Sequence, residues 1–297
     1  MKVVRSKVIG YCFGVANSIE KAGECISMAR EENLPCYSIG ALIHNKDVVE
    51  SFARQGMRNS DSPEGLEPGI ALIRAHGIPE ELRRRYTDAG FRVVDSTCPI
   101  VAKGAATLRK AAQKGFKTII IGVKGHAEAI GLMGVELPDG TPVRSHLISS
   151  IEDARGLRHN GDLDPDSDII VVVQTTFPIK EFQAIRRFLK TWFTRIRFSN
   201  SPCGATEARS KAALELASQT DAMIVIGGRN SENTKGLARI VSDTGKPVFT
   251  IENDKDLDDE LLKRISSFDS VGICSGSSTP TSIIRSVEEI LVNLRES

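Results

Sequence analysis

Along the chain, short apolar runs alternate with longer stretches whose apolar positions recur at helical spacing. The runs predict strands at Lys2–Ile9, Ala71–Ile73, Arg92–Val94, Thr118–Ile121, Ile169–Val173, Met223–Ile226, Val248–Ile251 and Val271–Cys274. The amphipathic stretches predict helices at Val15–Arg30, Pro79–Ala89, Val101–Lys114, Ile179–Phe193, Ala205–Ser218, Ala238–Thr244 and Thr281–Leu294. Apolar strands bounded by glycine are those buried on both faces, as in parallel sheets covered by helices, so the expected class is α/β. Glu152–Asp168, rich in Asp, Gly and Pro, reads as a surface loop ahead of a strand.

The same pattern carries a longer repeat. Cys12 follows the first strand and precedes a helix. Cys98 follows Val93-Val94-Asp95-Ser96-Thr97, and Pro99 then opens a helix, a favoured position for proline. Cys203 follows Arg197-Phe198-Ser199-Asn200 and precedes another helix. About thirty residues beyond each cysteine comes a polar cluster at a strand end: His44-Asn45, then His126-Ala127-Glu128, then Ser231-Glu232-Asn233-Thr234. A second cluster follows in each case: Arg74-Ala75-His76-Gly77, then Gln174-Thr175-Thr176, then Ser277-Ser278-Thr279-Pro280. One plan laid down three times predicts three small α/β lobes with mainly parallel sheets, related by pseudo-threefold symmetry, with the cysteines where the lobes converge. The expected spans are 1–97 with the N-terminal strand, 98–202, and 203–297 with the C-terminal helix. Ligands of open α/β sheets collect at the carboxyl ends of strands, where all these features fall.

Composition narrows the partners. With 40% hydrophobic and 26% charged residues over 297 positions, the chain reads as an ordinary globular protein. Lys and Arg total 39 against 38 Asp and Glu, which leaves no general field for nucleic acid or an anionic membrane; an anion must be bound by a local site. The N-terminus has no signal-peptide core and no apolar run approaches a membrane span, so a cytoplasmic protein is expected, with no added domain after the last helix. In that compartment the six cysteines are buried thiols, reactive thiols or ligands rather than disulfides.

Three converging thiolates suit an iron–sulfur cluster. A cubane cluster normally takes four, so three leave one iron open to a substrate oxygen. Helix N-termini oppose the negative charge by about 0.3–1 kcal/mol each. Zinc competes, but structural zinc sites favour close cysteine pairs, no Cys-x-x-Cys occurs here, and a fourth ligand would have to be His44, His76 or His126. The third reading, a buried hydrophobe, is the one adopted for Cys25, Cys36 and Cys274. His44, His76, His126, Thr175, Ser231, Asn233 and Ser278 supply hydroxyl, amide and imidazole donors near helix starts, and together suit a phosphate or diphosphate. Taken singly, Ser231 and Ser278 are ordinary helix caps. His146 and His159, in polar surroundings, read as surface residues. Glu128, beside an anionic cluster and an anionic ligand, should have a raised pKa, which makes it a candidate proton donor.

The segments Tyr11-Cys12-Phe13-Gly14-Val15, Ile43-His44-Asn45, Arg74-Ala75-His76-Gly77 and Asp95-Ser96-Thr97-Cys98-Pro99 match a known family. So do Gly125-His126-Ala127-Glu128, Gln174-Thr175-Thr176, Cys203-Gly204-Ala205-Thr206, Asn230-Ser231-Glu232-Asn233-Thr234 and Gly276-Ser277-Ser278-Thr279-Pro280. In family order over nearly the whole chain, the sequence resembles the 4-hydroxy-3-methylbut-2-enyl diphosphate reductases of isoprenoid biosynthesis.

The resemblance implies a three-lobed α/β fold around one [4Fe–4S] cluster ligated by Cys12, Cys98 and Cys203, with one open iron that takes the substrate's allylic hydroxyl oxygen. It implies that His44, His76, His126, Ser231, Asn233 and Ser278 hold the diphosphate. A ferredoxin or flavodoxin would deliver two electrons one at a time, the C–O bond would break, and water would leave. Glu128 would supply protons, with Thr175 orienting the hydroxyl and His126 beside them. The products would be isopentenyl or dimethylallyl diphosphate. Two positions depart from the family pattern: Glu232 stands where a small polar residue is usual, and Ala127 replaces a proline. The alternatives are a quinolinate synthase-like cluster enzyme, which the Gly-His-x-Glu and Asn-Ser-x-Asn-Thr segments oppose, a non-catalytic iron–sulfur sensor, and a structural zinc protein.

Overall fold

Burying a Val, Leu or Ile side chain contributes about 1.5–3 kcal/mol, and runs that can do so on both faces form the middle of every sheet. The computed structural model describes residues 1–160, 163–199 and 202–294. Asn200, in the run expected ahead of Cys203, and positions 161 and 162 of the expected loop lie outside the described residues. In chain order the elements begin β1 (Lys2–Arg5), α1 (Phe13–Glu31), β2 (Cys36–Ile39), α2 (Lys46–Arg54), β3 (Met57–Ser60), β4 (Ile70–Ile73), α3 (Glu80–Asp88) and β5 (Arg92–Asp95). They continue with α4 (Pro99–Gln113), β6 (Lys117–Ile121), α5 (Ala127–Met133), β7 (Ser145–Ile148), α6 (Ile151–His159), β8 (Ile169–Val173), α7 (Ile179–Trp192) and β9 (Ile196–Phe198). The last are α8 (Gly204–Ala217), β10 (Ala222–Ile226), α9 (Glu232–Ser242), β11 (Val248–Ile251), α10 (Asp259–Ser266), β12 (Ser270–Ser275) and α11 (Thr281–Asn293).

The chain divides into two compact units, one of Met1–Ala16, Ile43–Ser51 and Gly204–Ser297, the other of Asn17–Leu42 and Phe52–Cys203. The first unit holds a sheet of order β1-β12-β10-β11. The second holds two, of orders β3-β2-β4-β5 and β7-β6-β8-β9. Every pairing in these sheets is parallel, so the α/β class is as expected. Alternate residues of one strand reach the helices on opposite faces: Ile119 and Ile121 pack with Val171, Phe182 and Leu189, whereas Ile120 packs with Leu108, Leu132 and Val172.

The strand order repeats. β2 lies between β3 and β4, with β5 beyond; β6 lies between β7 and β8, with β9 beyond; β10 lies between β11 and β12, and the fourth place is taken by β1. These fourth strands, β5, β9 and β1, lead to Cys98, Cys203 and Cys12. The N-terminal strand therefore does not belong to the first lobe, where it was expected. It pairs with β12, from Lys2 opposite Ser270 to Arg5 opposite Ile273. The two valines explain why: Val3 packs with the cluster of Ile224, Ile273 and Val287, and Val4 with that of Leu216, Met223 and Val225.

Other differences have local causes. The strand expected over Lys2–Ile9 ends at Arg5. The loop expected from Glu152 begins instead as helix α6, because Ser150 Oγ accepts from Asp153 N–H at 3.0 Å and Ala154 and Leu157 face the core. The helix expected at Ala238–Thr244 starts at Glu232, capped by Ser231. Strands β3, β7 and β9 are short sheet edges with polar, partly exposed residues, and their sequences carry no apolar run. His146, read as a surface loop residue, is half-buried in β7; His159 is exposed at the end of α6.

Candidate active site

Parallel strands end with their carbonyls at one edge of the sheet, and the helices that follow point their N–H groups to that same edge. Each of the three cysteines sits in such a turn. Cys12 immediately precedes α1, Cys98 is the N-terminal cap of α4, and Cys203 immediately precedes α8. Each backbone N–H is fixed by the loop after its sheet's third strand: Cys12 by Ser277 O at 3.2 Å, Cys98 by Ala75 O at 2.9 Å, Cys203 by Thr175 O at 2.8 Å. All three are half-buried. Cys25, Cys36 and Cys274 are fully buried instead, and burial pushes their thiols up to about 11, 12 and 12, holding them neutral. The six cysteines thus separate into three inert core thiols and three partly accessible thiols at helix starts.

In the second unit, the loops after β6 and β8 hold a buried acid. Glu128, in the first turn of α5, is 1% exposed. Its carboxylate accepts from Thr175 N–H at 2.7 Å and from the Thr175 hydroxyl at 2.6 Å. These bonds favour the ionised form, but burial outweighs them and raises the pKa to about 7. His126 caps α5 by accepting Glu128 N–H at Nδ1, 3.1 Å away, which leaves Nε2 as the proton-bearing nitrogen of the neutral ring. Ala127 opens α5 where the family pattern has proline; the His126 cap keeps the helix start without it. The His126 ring meets that of His76 edge-to-face, with centroids 5.3 Å apart. Gln174, fully buried, accepts from Val123 N–H at 2.8 Å and donates to the Thr176 hydroxyl at 2.8 Å, so the β6 and β8 loops are locked together.

In the first unit, the loops after β10 and β12 are joined in the same way. Asn233 Oδ1 accepts from Ser277 N–H at 2.9 Å, and Ser231 caps α9 by accepting Thr234 N–H at 3.3 Å. Ser231, Asn233 and Ser278 are all buried. Thr279 donates to Ile226 O at 3.0 Å, which ties the start of α11 to the end of β10. His44 enters this unit through its backbone: a Cβ on Gly228 would lie 2.2 Å from the His44 carbonyl oxygen, so only glycine permits the approach. The structure therefore groups Cys12, Ser277, Asn233 and Ser231 in one unit, and Cys203, Thr175, Glu128, His126 and His76 in the other.

Glu232 does not confront an anion unpaired. Its carboxylate accepts from Lys235 Nζ at 2.9 Å, three residues along α9. Partly exposed pairs of this kind contribute about 0–1 kcal/mol. Glu232→Ser is therefore expected to leave diphosphate affinity within about threefold of the parent. Calorimetric titration with inorganic diphosphate checks this, and a tenfold loss would make Glu232 a binding residue.

Sequence reasoning passed over Arg209. It lies on the buried stripe of α8 with Ala212, Ala213 and Leu216, and is itself 3% exposed. A lone arginine at helical spacing with apolar residues was the available signal.

Both units carry parallel sheets whose fourth strands lead to thiol-bearing turns, and the second unit adds a buried acid, features suited to an oxidoreductase of the α/β class. Comparison with known proteins agrees. Residues 3–292 match the family model described as LytB protein, and the chain belongs to that family. LytB proteins are iron–sulfur enzymes. Among curated relatives, a 4-hydroxy-3-methylbut-2-enyl diphosphate reductase of Treponema denticola is 32% identical over 98% of this chain and 99% of its own length. A protein of the same name from Solidesulfovibrio magneticus is 31% identical over 98% and 99%. The solved E-1-hydroxy-2-methyl-but-2-enyl-4-diphosphate reductase of Plasmodium falciparum superposes with a TM-score of 0.87 at 25% identity, covering 98% of this chain and 88% of that one.

Proposed function

We propose that the chain reduces 4-hydroxy-3-methylbut-2-enyl diphosphate to isopentenyl and dimethylallyl diphosphate. The balance is two electrons and two protons in, with the allylic C–O bond broken, one proton leaving with the hydroxyl as water and the other going to the allylic carbon framework. The curated relatives carry the reductase name, which does not favour a quinolinate synthase-like enzyme or a sensor.

Cys12, Cys98 and Cys203 are the thiols that would ligate one [4Fe–4S] cluster with one iron left open. What supports the fit is the donor set: soft sulfur ligands, half-buried, each at a helix N-terminus, with their backbone N–H groups already held. When bound, the cluster supplies electrons one at a time and a Lewis-acidic iron. His44, His76, His126, Ser231, Asn233 and Ser278 would bind the diphosphate. Among them Ser231 is the cap of α9, whose N-terminus favours an anion. A ferredoxin or flavodoxin would deliver the electrons, and a cytoplasmic setting suits the free thiols. Among the described residues, no helix is long and apolar enough to cross a membrane.

The observation that carries this reading is the double role of Thr175. Its carbonyl holds the Cys203 turn, while its N–H and hydroxyl hold Glu128. One residue thereby fixes a proton donor against a ligand turn. Glu128 would hold its proton at the oxygen facing the Thr175 hydroxyl, and Thr175 would orient the substrate hydroxyl to receive it. Anaerobic purification followed by absorption and Mössbauer spectroscopy tests the assignment. A brown protein with a cubane signature is expected; a colourless one holding stoichiometric zinc would sink it.

A further inference from the structure

Helix α8, which follows Cys203, carries a guanidinium on its apolar stripe. Arg209 Nη1 donates to Ser275 O at 2.8 Å, and its Nη2 donates to Gly10 O at 2.8 Å. The Ser275 hydroxyl in turn accepts Gly10 N–H at 3.0 Å. Gly10, two residues before Cys12, is thus held at both its backbone polar groups, in a left-handed conformation (φ 83°) that a side chain would resist. With Cys12 N–H on Ser277 O, the whole Gly10–Cys12 turn is pinned to the loop after β12.

A buried cation is expensive to keep without an opposing charge. Among the described residues, Arg209 makes no ion pair to a carboxylate. Its two η nitrogens instead hold the Gly10 and Ser275 carbonyls, which fixes the charge against the turn that presents the half-buried Cys12. We propose that Arg209 is a positioning residue for Cys12: it clamps the turn that presents the thiol and supplies a buried positive charge opposing the thiolate there. The inference rests on the reading that Cys12 ligates the cluster, and extends it to what tunes that ligand.

The test is redox titration of the anaerobically purified holoprotein, followed by absorbance and electron paramagnetic resonance, in R209Q and R209K. Removing a positive charge beside a ligand disfavours the reduced, more negative cluster. R209Q is expected to show at least a tenfold smaller reduced-to-oxidised ratio at the parent midpoint, a displacement of about 59 mV to more negative potential for one electron. R209K keeps the charge and should restore most of that displacement. A brown R209Q with the parent's midpoint would overturn the inference, even if it melts earlier, since it would make Arg209 a folding residue only. If R209Q does not fold, R209K decides: a retained midpoint supports the proposal, and a tenfold displacement overturns it. A parent protein without any cluster is a different result, for it removes the ligand assignment itself.

Discussion

Replacing Cys98 with serine is expected to strip about nine-tenths or more of the iron from the purified protein, whereas replacing Cys36 with serine is expected to leave the iron in place. The contrast follows from position. Cys98 caps α4 with a half-buried thiol, outside the buried hydrophobic core. A serine hydroxyl, rarely ionised, is a far weaker ligand to iron than a thiolate, so the cluster is expected to be lost while the fold persists. Cys36 lies in β2, an inner strand, with its thiol held neutral by burial. A hydroxyl there leaves a buried polar group that costs about 1–3 kcal/mol, seen as an earlier thermal transition rather than as lost metal. Iron and acid-labile sulfide assays, run beside thermal melts on both variants, separate the two outcomes. Full iron in Cys98→Ser would remove Cys98 from the ligand set. The same pair of measurements on Cys12 and Cys203 should repeat the Cys98 result.

The order of residues alone distinguishes the two kinds of cysteine, and the reason is physical. A core cysteine sits inside an apolar run or helix face, as Cys274 does in β12, whereas Cys98 stands between Val93–Thr97 and a helix-opening proline. Ile169–Val173, an inner strand, is bounded as expected because apolar density alone defines a strand buried on both faces, whereas the inner strand Cys36–Ile39, too short and polar a run, was not legible. Edge strands without an apolar run were not legible either. Met57–Ser60 has two exposed residues out of four, and its place is set by pairing with β2 rather than by its composition. The return of β1 to the last sheet was equally hidden, since Lys2–Arg5 encodes only that it has one valine for each face. In the site, the motif residues were legible but their connections were not. Nothing in the order of the chain says that Thr175 joins Glu128 to the Cys203 turn, or that Arg209 reaches Gly10.

Glu128→Gln is expected to keep the cluster and bind substrate, but to lose turnover by about 10²–10⁴-fold. Glutamine preserves the volume and can accept Thr175 N–H as the carboxylate does, so the Cys203 turn should stay in place. What it lacks is an acidic proton. The parent should show a matching pH profile. With its pKa raised to about 7 by burial, Glu128 is neutral below that value and ionised above it, so kcat falls as pH rises through about 7. The variant's residual rate should not share that fall. Stability carries the same signature with a fixed sign. Between the ordinary carboxylate value of 4.5 and about 7, the folded chain holds a proton that the unfolded chain has lost. Parent stability from this group is therefore fully present below about 4.5 and is lost as pH rises through about 7, by about 3 kcal/mol in all. Glutamine has no such loss, so the melting temperature of the variant relative to the parent should climb from pH 5 to pH 8. Parent-like turnover in Glu128→Gln would take the acid out of the reaction. A flat stability difference across that range would instead show that Glu128 is ionised throughout, and could not be holding the proton it is asked to give.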